Sequence, residues 1–187
     1  MVRTFCLLAA FVGLTLASWA RADEPKVDQN AMKPGKFHEK LDPMAGEFDF
    51  TIKFWMDPSA APMESKGTST TKWIMGKRFL EQTVKADFAG MPFEGKGLTG
   101  YDNLEQKYVY SWVDNMTTGL MTGKGTPDKS GKVITYVSEF MDPMTGKRVK
   151  EKDVSTIIDN DHHKSEFYRI NGDKEVKVME ITYTRKK

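Results

Sequence analysis

Alternation of apolar and polar residues with a period of two is the feature of this sequence that most restricts its fold. From Glu47 to Met56 every second side chain is apolar, as in a β-strand with one buried face. Nine further segments rich in Val, Thr, Tyr, Phe or Trp follow it, at residues 65–75, 78–88, 93–101, 107–114, 119–126, 132–140, 148–158, 162–170 and 175–185. No segment after residue 45 has the pattern of an amphipathic helix, so the sequence predicts an all-β domain of about ten strands.

Turn residues separate the predicted strands. The strongest signal is Asn171-Gly172, because both residues tolerate a positive φ in a tight hairpin. Similar breaks occur at Met75-Gly76, Gly90-Met91-Pro92, Ser130-Gly131 and Asp159-Asn160-Asp161. Short connections produce a meander, and closing a long meander removes its two exposed edges. We therefore predict an antiparallel up-and-down β-barrel, with a two-sheet sandwich as the alternative.

The first 22 residues have the pattern of a secretory signal peptide. Arg3 precedes an apolar stretch at residues 5–16, and Ala20-Arg21-Ala22 supplies the small residues of a cleavage site. We predict a cut after Ala22 and a periplasmic or secreted domain; a retained N-terminal anchor is the alternative. Residues 23–36 are predicted to be a flexible leader, and residues 37–187 the barrel domain, in which residues 37–41 form a short helical plug.

The charge of the chain is nearly balanced. The 28 basic and 26 acidic residues give a formal net charge of +2. The signal peptide carries Arg3, Arg21 and no acid, so cleavage leaves 26 residues of each sign. Such a domain is not expected to bind nucleic acid, or a membrane once the signal is removed. The single cysteine, Cys6, also leaves with the signal peptide, so we expect no disulfide. The oligomeric state stays open.

Catalytic and metal-binding motifs are sparse. We interpret His38, His162 and His163 as surface, hairpin or plug residues; the adjacent pair would point to opposite faces of a strand. The chain has no G-x-S-x-G sequence, and the Gly-rich run at residues 95–100 lies in a strand context, where it cannot open a helix. Asp159-Asn160-Asp161 favours a plain turn over a calcium loop. We predict no metal and no cofactor.

Methionine and glycine are used in unusual ways. Twelve methionines, including the pair Met141 and Met144, indicate an irregular interior or an adaptable pocket, with a Cu(I) site as the alternative. Glycines cluster inside two predicted strands, at Gly95, Gly97, Gly100, Gly119, Gly123 and Gly125. Sharp bending at barrel corners is the favoured reason, and close approach of another chain or a ligand is the alternative.

Four runs resemble a family of small bacterial proteins known as domain of unknown function 1579. They are Met44-Ala45-Gly46-Glu47-Phe48, Gly95-Lys96-Gly97-Leu98-Thr99-Gly100-Tyr101-Asp102, Trp112-Val113-Asp114 and Met179-Glu180-Ile181-Thr182-Tyr183-Thr184-Arg185. The resemblance covers about residues 38–186 and implies a lipocalin-like (calycin) barrel, with no reaction attached.

Two finer comparisons concern the first and last strands. Gly46-Glu47-Phe48 stands where lipocalins have G-x-W, whose tryptophan packs on an arginine; Arg185 or Arg169 is the expected partner here. Tyr183-Thr184-Arg185 reverses the R-x-Y order with which fatty-acid-binding proteins hold a carboxylate.

Alternating aromatic residues give the main functional hypothesis. Trp73, Tyr101, Trp112, Tyr183 and Arg185 are predicted to line a cavity for a small apolar or amphipathic ligand, with Arg185 or Tyr183 holding its polar head. A filled barrel with no cavity is the alternative packing. The alternative functions are an interaction module with an exposed apolar patch, and an enzyme, a hydrolase or isomerase, using inward acids such as Asp114 or Glu180. No catalytic residue is assigned, and a non-enzymatic role is favoured.

Overall fold

A computed structural model describes residues 29–88 and 90–187 of the chain. These residues form one closed antiparallel barrel of ten strands. The strands are β1 (Gly46–Phe54), β2 (Met63–Ile74), β3 (Phe79–Phe88), β4 (Met91–Asp102), β5 (Lys107–Asp114), β6 (Met121–Pro127), β7 (Val133–Met141), β8 (Arg148–Ile157), β9 (His162–Asn171) and β10 (Lys174–Arg185). The prediction of ten strands in an all-β domain is confirmed.

Each strand pairs with its neighbours in sequence, and β1 pairs with β10 to close the barrel. Along this seam Phe48 lies opposite Arg185, Phe50 opposite Tyr183, and Ile52 opposite Ile181. The alternating apolar side chains of β1 point inward, and Phe48, Phe50 and Ile52 are buried. The up-and-down barrel is therefore confirmed, and the two-sheet sandwich is wrong.

A short helical segment closes one end of the barrel. Helix α1 (Lys36–Glu39) and a 3-10 turn (Asp42–Met44) together form the plug. Leu41 lies between them and is fully buried. The Phe37 ring stacks on Tyr101 with 4.4 Å between centroids, and Tyr108 donates a hydrogen bond to the Phe37 carbonyl. The predicted N-terminal helical plug is therefore present, and it seals this end with aromatic contacts.

Hairpin loops surround the opposite end, which no described helix covers. They connect β1 to β2, β3 to β4, β5 to β6, β7 to β8 and β9 to β10. A second apolar cluster lies below them, with Phe50, Ile52 and Val84 buried and Trp112 and Met179 only partly buried. Burial is thus incomplete at this end, and we call it the open end.

The β9–β10 hairpin uses its glycine differently from the prediction. Gly172 has φ +61°, but Asn171 is the last residue of β9 and has no positive φ. The positive φ expected for both residues of Asn171-Gly172 is therefore wrong for Asn171. In contrast, Met75, Gly76 and Lys77 all have positive φ in the β2–β3 turn.

Strand glycines make room for aromatic rings of the same chain. A Cβ atom on Gly95 would lie 2.2 Å from the Trp112 ring, and one on Gly123 would lie 2.3 Å from the Tyr110 ring. Gly119, predicted to lie in a strand, precedes β6 and has open space around its Cα. Close approach by neighbouring side chains therefore explains these glycines, whereas the prediction favoured bending.

The N-terminal predictions fall mainly on residues that the structure does not describe. The predicted signal peptide and its cut after Ala22 lie outside the described residues. Residues 31–33, within the predicted leader, lie along the barrel, since Asn103 Nδ2 donates to the carbonyls of Ala31 and Lys33 and Arg78 Nη2 donates to that of Met32. Over residues 29–88 and 90–187, no helix has both the length and the apolar character needed to span a bilayer.

Candidate functional site: the open end and its polar floor

Aromatic and apolar side chains line the inside of the barrel near the open end. Because side chains alternate between the two faces of a strand, these residues share the inward face with the buried core residues. All are half-buried: Phe54, Phe88, Phe93, Trp112, Phe140, Phe167, Met179 and Ile181. We call this set the aromatic mouth. Inward side chains that remain partly accessible are what a ligand entering from this end would contact.

A cluster of charged residues lies inside the barrel, on β8 and β9. Glu151 and Asp153 occupy consecutive inward positions of β8, and Arg169 on β9 lies opposite Glu151. Arg169 Nε is 3.5 Å from Glu151 Oε2, and its Nη2 is 3.6 Å from Asp142 Oδ2. The Arg169 side chain is 25% exposed and that of Glu151 10%, so Arg169 is more accessible than Glu151. We call Glu151, Asp153 and Arg169 the polar floor.

Burial strongly perturbs the two floor carboxyl groups. It raises the pKa of Asp153 to about 8, and the nearby Glu151 carboxylate adds to this increase. Burial also raises the pKa of Glu151 to about 7, although Arg169 acts in the opposite direction. The pKa of Glu151 is raised less than that of Asp153 because Arg169 lies beside Glu151, whereas no described cation forms an ion pair with Asp153. Asp153 is the floor carboxyl without a positive partner.

The charge of Asp153 affects three tyrosines on other strands. Burial raises the pKa of Tyr110 to about 12 and that of Tyr136 well above its usual value, and the Asp153 carboxylate contributes to both increases. The pKa of Tyr183 is also raised, first by burial and then by Asp153. These hydroxyl groups therefore stay protonated at physiological pH and keep their capacity to donate or accept hydrogen bonds.

Several enclosed polar atoms in the described interior have no hydrogen-bond partner in the protein. They belong to inward residues of β2, β8 and β9: Ser69 Oγ, Thr71 Oγ1, Asp153 Oδ1, His163 Nδ1 and Arg169 Nη1. Native interiors leave few such groups unpaired, because each costs about 1–3 kcal/mol. The presence of five such atoms inside one barrel favours an interior that binds a partly polar ligand.

His163 lies toward the plug. It is 3% exposed, its ring stacks on Tyr183 at 4.2 Å, and the edge of Phe48 meets it at 4.7 Å. Burial lowers the pKa of His163 to about 4, helped by the positive charge of Arg185, so the ring is neutral at physiological pH. His162 is exposed on the opposite face, as predicted for adjacent strand residues. A surface position for His163 is therefore wrong.

Arg185 connects the barrel to the plug. Its Nη1 donates to the Ala45 carbonyl and its Nη2 to the Pro43 carbonyl, both at 2.8 Å. Its guanidinium lies over the Phe48 ring at 4.6 Å. Arg185, and not Arg169, is thus the partner of the phenylalanine in Gly46-Glu47-Phe48.

The structure divides the five predicted ligand-binding residues between two regions. Trp73 and Tyr101 pack in the core beneath the plug, where Trp73 Nε1 donates to Asp42 Oδ1 at 2.7 Å. Trp112 and Tyr183 belong to the second cluster: Trp112 is part of the aromatic mouth, and Tyr183 lies deeper, stacked on His163. Arg185 is engaged with the plug and does not face the same space. Of the five, Trp112 alone therefore lies at the open end, and a role for any of the five in ligand binding stays a prediction.

The two acids considered for an enzyme do not meet. Asp114 accepts a hydrogen bond from Trp112 Nε1 at 2.9 Å and holds the following loop through the backbone N–H groups of residues 116 and 117. Glu180 lies on the outer wall, where it contacts Lys177. Neither belongs to the polar floor.

The sequence reasoning missed Glu151, Asp153 and Arg169. A signal was present in β8, because Glu151 and Asp153 have the same parity as Ile157 and therefore share its buried face. Charged residues in a strand normally face solvent, so the sequence of β8 alone does not indicate that Glu151 and Asp153 point inward. Their position becomes clear only when the pairing of β8 with its neighbours is known.

Methionines encircle the open end. Six of the eight exposed methionines among the described residues lie in or beside four of its five hairpin connections: Met56, Met63, Met91, Met116, Met141 and Met144. They therefore form a rim, which differs from the irregular interior that their number was predicted to fill. In residues 29–88 and 90–187, no group of three or more His, Cys, Asp or Glu side chains is placed to hold a metal ion.

Comparisons with known proteins agree with this architecture. The crystal structure of Rv2717c from M. tuberculosis superposes with a TM-score of 0.58 at 16% identity, covering 83% of this chain and 100% of that one. The structure of EF1p2_mFAP2b bound to DFHBI gives a TM-score of 0.45 at 11% identity, covering 81% and 100% respectively. No curated protein sequence matches the chain. The first likeness supports the barrel fold, and the implied calycin relationship likewise concerns only the fold.

The family comparison covers most of the chain. The sequence profile of a family described as protein of unknown function (DUF1579) matches residues 33–185. This range contains the plug, all ten strands, the polar floor and the aromatic mouth. The chain therefore belongs to the DUF1579 family.

Proposed function

We propose that this protein binds a small, partly apolar molecule inside the barrel, through the open end. The observation that carries the proposal is the aromatic mouth above a polar floor that contains unpartnered side-chain atoms. Ligand sites of this kind combine mainly apolar walls with a few polar groups that fix orientation.

The two parts of the site contribute differently to binding. Half-buried rings such as Trp112 and Phe93 would lose accessible surface to the apolar part of a ligand, which is favourable by about 25 cal/mol per Å². Asp153 Oδ1 and Arg169 Nη1 would gain hydrogen-bond partners, which relieves the cost of their enclosure. The apolar contacts thus supply affinity, and the polar floor selects the head group.

The proposal includes a place of action outside the cytoplasm. Its support is the sequence alone: a basic residue, an apolar stretch and a small-residue cleavage site within residues 1–22. A ligand carrier or scavenger in the periplasm or medium would function without disulfides, because the chain has no cysteine after Cys6.

Tryptophan fluorescence tests the proposal directly. The probes are octylamine, 1-octanol, octanoic acid and an anilinonaphthalene sulfonate dye. Trp112 lies near the open end and Trp73 beneath the plug, so a bound probe should change the emission of Trp112. We expect Trp112→Phe to lose the response and the matched control Trp73→Phe to keep it. No saturable response to any probe in the unmodified protein would refute the proposal.

A further inference from the structure

We infer that the site selects an amphipathic amine, with the ligand's ammonium group bound by the Asp153 carboxylate and its apolar part in the aromatic mouth. The inference rests on the proposed function and adds the chemical class of the ligand. Its basis is the arrangement of charges and unpartnered atoms around Asp153.

The first element of the argument is an uneven distribution of charge. Glu151 and Asp153 both point into the barrel, and Asp114 and Asp142 lie nearer the open end. Arg169 lies within 3.6 Å of both Glu151 and Asp142, so its charge is already shared by two carboxyl groups. The inward acids therefore exceed the cation that faces them, and the site favours a positively charged guest.

The second element is that Asp153 lacks a partner. Its Oδ1 atom is enclosed and accepts no hydrogen bond, and no lysine or arginine of residues 29–88 and 90–187 forms an ion pair with it. An isolated carboxylate in an apolar surrounding is unstable, so the carboxyl group keeps its proton until a cation joins it. An alkylammonium group supplies both the charge and up to three N–H donors.

The third element is the aromatic surrounding of Asp153. Phe167 lies opposite it on β9 and Tyr136 opposite it on β7. Aromatic faces attract cations, and desolvation strengthens this attraction. An ammonium group beside Asp153 would therefore meet a carboxylate, protonated tyrosine hydroxyls and ring faces.

The same geometry disfavours a carboxylate ligand such as a fatty acid. Its head group would lie among Glu151, Asp153 and Asp142, and like charges at short range in a protein interior repel strongly. Arg169 Nη1 is a free donor, but binding a ligand carboxylate would draw the guanidinium away from its two present partners. A neutral alcohol has neither this penalty nor the ionic gain.

The experiment compares three eight-carbon probes that differ only in the head group. Octylamine, 1-octanol and octanoic acid are titrated at about pH 9, where Asp153 is ionised and the amine is still protonated, with Trp112 fluorescence and calorimetry as readouts. We expect octylamine to bind at least about tenfold more tightly than either of the others. We expect Asp153→Asn to reduce octylamine affinity by about tenfold or more, while 1-octanol affinity stays within about twofold.

The matched control is Asp49→Asn, which removes one carboxylate from the outer wall, where Asp49 faces Lys186. It should leave the affinities for all three probes unchanged. Equal or tighter binding of the alcohol or the acid would overturn the amine assignment and leave the proposed function standing. Parallel loss of amine and alcohol binding in Asp153→Asn would also overturn it, because the side chain would then only maintain the interior. Failure of all three probes to bind the unmodified protein would refute the proposed function itself.

Discussion

Replacing Asp153 by asparagine should make the protein more stable at neutral pH and change the pH dependence of its unfolding. Burial raises the pKa of this carboxyl from 3.8 to about 8 in the folded state. An unfolded chain loses the proton near pH 4, whereas the folded chain keeps it until about pH 8. The folded state therefore binds more protons in this window, and its stability falls as pH rises.

The size of the effect follows from the shift. Each pH unit inside the window removes about 1.4 kcal/mol of unfolding free energy, so the loss from pH 5 to pH 8 is roughly 4 kcal/mol. Asparagine does not titrate and has nearly the same shape. The stability advantage of Asp153→Asn over the unmodified protein should therefore grow by up to about 4 kcal/mol across this range.

Groups that do not interact with Asp153 titrate as well, but they cancel in the comparison. The pKa of His163 is lowered to about 4, so the unfolded chain binds its proton more tightly and this group makes stability rise from about pH 4 to pH 6.5. His163 is present in both proteins, so its contribution drops out when one unfolding free energy is subtracted from the other.

The assay is urea unfolding followed by far-UV circular dichroism at several pH values between 5 and 8. Asp49→Asn, with the same change of charge on the outer wall, serves as the control and should give a curve parallel to that of the unmodified protein. If Asp153→Asn also ran parallel within about 1 kcal/mol, Asp153 would titrate like a solvated carboxyl and the reasoning about a desolvated polar floor would be wrong.

Two further predictions concern packing and the plug. Gly95→Ala places a Cβ 2.2 Å from the Trp112 ring, so it should destabilise the protein by about 1–3 kcal/mol and shift the tryptophan emission. The control is Gly119→Ala, whose Cβ would have nothing within 4 Å, and it should unfold at the same urea concentration as the unmodified protein. Equal unfolding midpoints for the two variants would contradict the packing argument. Arg185→Lys keeps the charge but loses the paired N–H donors to the Ala45 and Pro43 carbonyls. It should lower the free energy of unfolding by roughly 2 kcal/mol and accelerate amide hydrogen exchange in residues 36–44. Unchanged exchange in these residues would show that Arg185 does not hold the plug.

The fold could be predicted because its determinants are local. Period-two alternation and turn residues act over a few positions, and the observed strand bounds mostly lie within two residues of the predicted ones. The plug was also predictable, since the Asp42-Pro43 step restricts the helix from within its own sequence.

The candidate site was less predictable because it depends on contacts between distant strands. Trp73 and Tyr101 do point inward, but the plug covers their end of the barrel. Asp153 on β8 becomes a desolvated carboxyl only when the folded barrel buries it beside Glu151. Which end stays open, and which acid lacks a cation, are properties of the closed barrel and not of any single segment.

The seam between β1 and β10 also determines when the barrel can exist. Arg185 binds the Ala45 carbonyl, 140 positions earlier in the chain. The first strand of the barrel therefore cannot pair with the last one until the whole domain has been synthesised. Until β10 is synthesised, β1 and β9 each expose an unpaired edge, which invites association with other chains. Because such distant pairing must overcome the entropy of closing a long loop, barrel closure should be a slow, late step of folding, and newly made chains should depend on low concentration or a chaperone until then.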